Sequence, residues 1–205
     1  RERSLYKVFN HITEICNKHH ISQKIINNSK SLYKICSSTK ISRGSNRKGI
    51  IAATVYFSCK ECNAPRSSKE IADIFSIDIT TMTKGSKKLQ EIMFMNKNEL
   101  DKRRLIHQKT ITPSDFINRF CNKLDIDDYI QIIHEICNIS LNHKIISENT
   151  PPSIASGCIY YFSKKKNLKL TKKKISDVCK ISEVTINKCS KKLESSDPLF
   201  NKCFH

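Results

Sequence analysis

Residues 56–89 read YFSCKECNAPRSSKEIADIFSIDITTMTKGSKKL, and 104 positions later residues 160–193 read YYFSKKKNLKLTKKKISDVCKISEVTINKCSKKL. The two stretches align without a gap. Identical pairs include Tyr56/Tyr160, Lys60/Lys164, Lys69/Lys173, Ile71/Ile175, Asp73/Asp177, Ile77/Ile181, Thr81/Thr185 and Lys84/Lys188, followed by Ser86-Lys87-Lys88-Leu89 against Ser190-Lys191-Lys192-Leu193. Lysine matches are cheap in a lysine-rich chain, but the tyrosine, isoleucine, aspartate and threonine matches are not. Upstream, a shift of 105 pairs Ile12 with Ile117 and Cys16-Asn17-Lys18 with Cys121-Asn122-Lys123. The chain is therefore a tandem duplication of a unit of roughly 90 residues. The first copy takes residues 1–97 and the second 112–205, with a charged connector over 96–111 that contains Asp101-Lys102-Arg103-Arg104.

Within each copy the pattern is helical. Leu5, Val8, Phe9, Ile12 and Ile15 recur at spacings of three and four, as one buried helix stripe requires. Ile25, Ile26, Leu32, Ile35 and Cys36 continue the theme. Ile50–Phe57 is apolar nearly all round and is matched by Ile154–Phe162, so each unit has a central helix surrounded by others. The small residues Ala52, Ala53, Ala155 and Gly157 let neighbours approach that helix closely. Ser67 and Thr171 are N-caps for the next helix, which ends near Phe75 or Cys179. Glu70 completes a capping box in the first copy only. A brief turn around Ile77 or Ile181 then leads to a further helix, Thr80–Met93 or Glu183–Leu193.

Composition agrees. Four Gly and five Pro are few for tight turns between strands, and 38% hydrophobic residues are enough for a packed core. Lys+Arg is 37 against 19 for Asp+Glu, a net charge of +18. A surplus of this size implies a polyanionic partner, nucleic acid or an acidic membrane surface. No apolar run reaches the ~20 residues that span a bilayer, and no secretory signal is visible at the N-terminus. Of the ten cysteines, Cys16, Cys36, Cys121, Cys137, Cys158, Cys179 and Cys189 fall singly among apolar helical positions, as small hydrophobes do. Only Cys59-Lys60-Glu61-Cys62 has ligand spacing, and no second pair completes a zinc site. Thiols of this kind point to a reducing, intracellular compartment. No active site is expected. The seven histidines form no ligand set, no glycine-rich phosphate loop exists, and Asp73 and Asp177 hold one repeated position, which suits a structural role.

Short helix, tight turn, longer helix is a helix-turn-helix, and it ends both copies. The N-terminal side chains of the longer helix can reach base edges in a major groove. In the second copy these are Val184, Thr185, Asn187 and Lys188, with Lys191 a turn further on toward phosphate and Lys172 opening the shorter helix. Pro151–Leu193 holds eleven lysines against Asp177 and Glu183, so half of the net charge surrounds this motif. In the first copy Ile79, Thr80, Thr81 and Met82 occupy the reading positions, a surface better suited to protein than to phosphate. Its basic groups lie in Ser42-Arg43-Gly44-Ser45-Asn46-Arg47-Lys48, read as a polar loop that either enters a minor groove or simply connects helices.

These residues resemble the core of transcription factor IIB and its archaeal and RNA polymerase III relatives. The resemblance rests on Arg43-Gly44-Ser45-Asn46 with Ile51-Ala52-Ala53 and Tyr56, then Pro65-Arg66-Ser67-Ser68-Lys69-Glu70-Ile71. It continues with Ile111-Thr112-Pro113-Ser114-Asp115-Phe116-Ile117-Asn118-Arg119-Phe120-Cys121, Thr150-Pro151-Pro152-Ser153-Ile154-Ala155 with Ile159-Tyr160, and Val184-Thr185-Ile186. It implies an all-α fold of two tandem five-helix cyclin-like repeats that act as a monomer on a TATA-binding protein–promoter complex. It also implies double-stranded DNA contacts from Arg43, Gly44, Ser45, Asn46, Arg47, Lys172, Val184, Thr185, Asn187, Lys188 and Lys191, and contacts to TATA-binding protein from Lys60 and Lys84. RNA polymerase is then recruited. Two departures stand out. Asn187 takes the place of an arginine that reads the upstream element, and Ile79 and Thr80 replace a basic pair.

No cofactor is expected in this chain; zinc belongs to an N-terminal ribbon that these residues do not include. The chain thus reads as the core of a longer viral or protist protein, acting in the nucleus or, for a virus, in a cytoplasmic factory or virion. Two other readings are weighed. A kinase-activating cyclin shares the repeat, but its box usually carries a tryptophan and this chain has none. A basic nucleic-acid-modifying enzyme would need a nucleophile, metal set or phosphate loop.

Overall fold

A computed structural model describes residues 2–39, 42–95 and 110–204. The chain divides into two compact units, Arg1–Thr110 and Ile111–His205. Each has its own hydrophobic core. Most of the connector over 96–111 lies outside the described residues.

The first unit contains α1 (Glu2–Lys18), α2 (Gln23–Thr39), α3 (Gly44–Glu61), α4 (Ser68–Ile74) and α5 (Ile79–Met95). The second contains α6 (Ser114–Leu124), a 3-10 turn at Asp127–Tyr129 running into α7 (Ile130–Asn142), α8 (Pro151–Lys165), α9 (Lys172–Cys179) and α10 (Glu183–Glu194). A 3-10 segment, Asp197–Cys203, follows and buries Phe200. Five α-helices per unit is the number expected, and no strand occurs among the described residues.

The central helices are α3 and α8. Every residue of α3 from Gly49 to Val55 is buried, as is Pro152–Ile159 of α8. Each packs most extensively against the last α-helix of its own unit, α3 on α5 and α8 on α10. Contact between backbones makes this possible. A Cβ on Gly85 would lie 2.2 Å from the carbonyl of Gly49, and one on Gly157 would lie 2.4 Å from the Cβ of Cys189. Gly157 is one of the small residues expected to admit a neighbour; the Gly49–Gly85 contact was not evident from spacing.

The duplication also shows in the backbone. Residues with left-handed φ recur at equivalent places: His20 and Asp125, Asn63 and Asn167, Ser76 and Lys180. Each ends a helix or follows its cap, where a left-handed residue lets the chain turn while satisfying the last carbonyls. The α1 stripe is buried as its spacing requires, with Val8, Ile12 and Cys16 inside and Leu5, Phe9 and Ile15 against them. All the cysteines except Cys62 are buried. Burial pushes the thiol of Cys16 up to about 11 and that of Cys121 up to about 12. Such thiols are packing groups.

Candidate nucleic-acid interface

In the second unit α9 and α10 form the helix-turn-helix. Thr171 caps α9 by accepting a hydrogen bond from the Lys174 amide at 3.1 Å. Lys180 takes the left-handed conformation at its end, and the Ser176 hydroxyl donates to the Ile181 carbonyl at 2.6 Å, pinning the turn. Ser182 then caps α10, accepting from the Thr185 amide at 3.2 Å. Ile186, Cys189, Ser190 and Leu193 face inward. That leaves Val184, Asn187, Lys188 and Lys191, at i, i+3, i+4 and i+7, on the opposite face. Val184 is 64% exposed, a large value for an apolar side chain. Lys188 and Lys191 are exposed, while Thr185 and Asn187 are half-buried. Thr185 shares a hydroxyl contact of 2.8 Å with Ser182, so it serves the cap as much as the surface.

The lysines around this motif divide into two sets. Lys164 pairs with Glu194 at 2.6 Å, Lys165 with Asp197, and Lys192 with Glu148. Asp197 also accepts a 2.6 Å hydrogen bond from the Tyr161 hydroxyl. Its carboxyl is held below the usual aspartate range, by the Lys165 hydrogen bond first and the Tyr161 hydrogen bond second. Three of the eleven lysines thus face carboxylates of the same unit, a pairing that a charge count cannot see. Lys173, Lys174, Lys180, Lys188 and Lys191 are exposed, and Lys172 is half-buried at the first position of α9. Lys173, Lys174 and Lys180 were not singled out beforehand. Lys173 and Lys174 lie on the shorter helix of the motif and Lys180 caps its end.

The first unit repeats the geometry with different chemistry. Ser67 and Glu70 form the expected capping box on α4, with hydrogen bonds of 2.8 and 3.1 Å. Asp78 holds the capping position of α5, accepting from the Thr81 amide at 2.7 Å and the Thr81 hydroxyl at 2.6 Å. Those bonds lower its carboxyl below the ordinary range. Ile79 is 48% exposed and Thr80 is exposed, but Met82 is completely buried. Met82 is therefore not a reading position. It occupies the inward place that Ile186 takes in α10, and the outward face instead carries Thr83, Lys84 and Lys87.

Ser42–Lys48 needs a second correction. Gly44, Ser45, Asn46 and Arg47 are the first turn of α3, not a loop before it. Gly44 starts that turn with φ +57°, in open space, a backbone shape that glycine adopts without strain. Arg43, Gly44, Ser45 and Asn46 are exposed. The Arg47 guanidinium is folded back, donating to the Tyr33 hydroxyl at 3.0 Å and to Ser4 at 2.7 and 3.2 Å. It ties α1 and α2 to the start of α3. Lys60 lies 16 residues further along the same helix, about 24 Å at 1.5 Å per residue. Arg43–Arg47 and Lys60 are thus at opposite ends of α3.

Lys60 sits against its own aromatic pair, 5.8 Å from the Tyr56 ring centre and 6.0 Å from that of Phe57. Lys164 lies over Tyr160 in the same way, at 5.3 Å. There the likeness stops. Lys164 has Glu194, whereas the matching position in α5 is Gln90. Lys60 has no carboxylate partner among the described residues, and partial burial lowers its pKa. Lys84 is exposed on α5.

Transcription factor TFIIB repeats match residues 1–92 and 106–196, one in each unit. The chain belongs to the TFIIB family. It is 37% identical to a transcription initiation factor IIB-like protein of Acanthamoeba polyphaga mimivirus, across 97% of this chain and 45% of that protein. Transcription initiation factor IIB of Encephalitozoon cuniculi is 30% identical across 94% of the chain and 58% of its own length. For Dictyostelium discoideum the figures are 25%, 94% and 57%. The chain spans about half the length of these relatives. Its two five-helix units are tandem cyclin-like repeats, in a family of transcription factors rather than enzymes.

Among the described residues no three His, Cys, Asp or Glu side chains are grouped so as to hold a metal ion. Cys59 of the CxxC pair is buried in the core, and Cys62 ends α3 beside Asn28. No helix among the described residues is long and apolar enough to cross a membrane.

Proposed function

We propose that this chain is the promoter-binding core of a transcription initiation factor. It joins a TATA-binding protein on double-stranded DNA and helps bring RNA polymerase to the promoter. The observation that carries this reading is the outward face of α10, where Val184, Asn187, Lys188 and Lys191 stand together at a helix-turn-helix with no hydrogen bond or ion pair among the described residues. Short side chains near the start of the helix suit base edges, and long cations a turn later suit phosphates. Lys172, Lys173 and Lys174 add backbone contacts from α9.

The first repeat meets the TATA-binding protein. Lys60, half-buried and without the carboxylate that its counterpart Lys164 has, is the cation best placed to take an acidic partner residue, and Lys84, exposed on α5, is a second. Arg43 and the exposed start of α3 touch DNA on the other side, while Arg47 supports that turn from within. The site of action is wherever the promoter is, the nucleus or a viral replication site.

Mobility shift with a TATA-binding protein and a promoter duplex tests this. A supershifted complex that salt dissolves steeply is expected. Absence of any supershift at low salt overturns the proposal.

A further inference from the structure

We infer that the first repeat holds a ligand site for a small organic anion with an apolar body, in the cavity between the start of α1, the end of α2 and the start of α3. The cavity measures about 670 Å³, and ligand-sized pockets run from about 300 to 1,000 Å³. Its apolar lining is Leu5 of α1, Cys36 of α2 and Ile50 of α3, with the Tyr33 ring beside them. Lys34, Arg43 and Arg47 border it, against Glu2 as the one acidic group among the described lining residues. That balance favours an anion over a cation. The apolar lining favours a molecule with a body to withdraw from water over a bare ion.

Two donors at this cavity are unspent. Arg47 gives Nε to the Tyr33 hydroxyl and Nη2 to Ser4, which leaves Nη1 without an acceptor among the described residues. Tyr33, a side chain only 6% exposed, accepts from Arg47 and keeps its own hydroxyl proton to give. A buried donor beside a guanidinium calls for an ionised acceptor, whose hydrogen bonds are stronger than neutral ones. A carboxylate has two oxygens, one for each donor. The second repeat supplies the comparison. Counting 104 positions on, Tyr33 becomes Cys137 and Arg47 becomes Pro151. Cys137 is buried in its apolar core and Pro151 begins α8, so that repeat packs the corresponding helices with neither donor. α3 also starts a turn earlier than α8, at Gly44 rather than at the match of Pro151, and this brings Arg43 to the edge of the cavity. The donors are a property of this repeat and not a requirement of the fold.

Isothermal titration calorimetry of the 205-residue chain with octanoate tests this. One molecule should bind per chain. Hexanoate, with two buried methylenes fewer, should bind about 15-fold more weakly. Octanol keeps the body and lacks the charge, and should bind about 10-fold more weakly. Leu5→Trp fills the cavity and should abolish octanoate binding. Arg47→Gln should weaken octanoate about 10-fold and leave octanol unchanged. Circular dichroism matching the wild type establishes that each variant folds, and the comparison of the three ligands on the wild-type chain decides the matter if one does not. Equal affinity for octanoate, hexanoate and octanol, or octanoate binding that a folded Leu5→Trp chain retains, assigns the affinity to diffuse positive charge and overturns the inference. Absence of octanoate binding overturns it too. No DNA enters the experiment, so each of these results leaves the promoter-binding proposal standing.

Discussion

Replacing Lys188 and Lys191 together by glutamine removes two cations from the exposed face of α10 while keeping helix propensity. Neither ammonium makes a hydrogen bond or ion pair among the described residues, and only the longer-range pull of Lys191 on the Glu194 carboxyl is lost, so the change should affect stability little. Each lysine–phosphate contact contributes about 0.9 to the slope of log affinity against log salt, so the pair should reduce that slope by about 1.8. Between about 50 and 200 mM salt, two such contacts cost roughly 12-fold in affinity, and the variant should escape that share of the loss.

Fluorescence anisotropy with a labelled promoter duplex measures the slopes directly. Lys164→Gln with Lys165→Gln is the internal comparison. Those two cations carry the same formal charge and lie in the same repeat, but they are occupied by Glu194 and Asp197. Exposed pairs of this kind are held by only about 0–1 kcal/mol, so their lysines are not locked away by strength. What sets them apart is position, at the end of α8, with Lys164 against the last residue of α10 and Lys165 against the 3-10 segment, rather than on the outward face of α10. Their slope should match the wild type. Equal reductions from both double variants would show that the protein acts as a diffuse positive charge, and the assignment of phosphate contacts to α10 would be wrong.

Gly85→Ala should destabilise the first repeat by about 1–3 kcal/mol or more, because its Cβ would sit 2.2 Å from Gly49 backbone atoms that cannot move aside; urea denaturation reports it. Gly157→Ala meets the Cys189 Cβ instead, so adding Cys189→Gly should recover part of the loss. Under native conditions a thiol reagent should label Cys62 first and almost alone, with the other cysteines reacting only in denaturant, as mass spectrometry would count. Asp197, whose carboxyl is depressed by Lys165 and Tyr161, stabilises the second repeat above the ordinary aspartate pKa. That contribution disappears as pH falls through the depressed value. Asp197→Asn should therefore lower the melting temperature at neutral pH and flatten its decline in acid. A variant whose acid decline matches the wild type would contradict this.

The duplication, the helical class and the helix-turn-helix at the end of each copy were legible in the sequence because all three are local or periodic. A stripe such as Leu5, Val8, Phe9, Ile12, Ile15 needs only the helix repeat to be read. Ser67 and Thr171 announce helix starts because a cap bonds to an amide three residues on. The Asp78 and Ser182 caps carry the same signature, one motif later. The resemblance to the family lay in the order of such short patterns, and it led to the family that the repeats match.

Partners and facing could not be read that way. Met82 looked like a surface residue until α5 was laid on α3, which turned it inward. The run from Ser42 to Lys48 looked like a loop because polar residues fill it. Yet a glycine with left-handed φ starts a helix there, and Arg47 is held by Ser4 and Tyr33 from two other helices. Sequence alone determined that there are two copies of one helical unit with a large positive charge. Tertiary structure decided how that charge is shared out. Lys164, Lys165 and Lys192 are paired with carboxylates 30, 32 and 44 residues away, while Lys60 lacks the one its counterpart has. Charge adds along a chain regardless of folding, but an ion pair exists only where the fold brings distant side chains within a few ångströms.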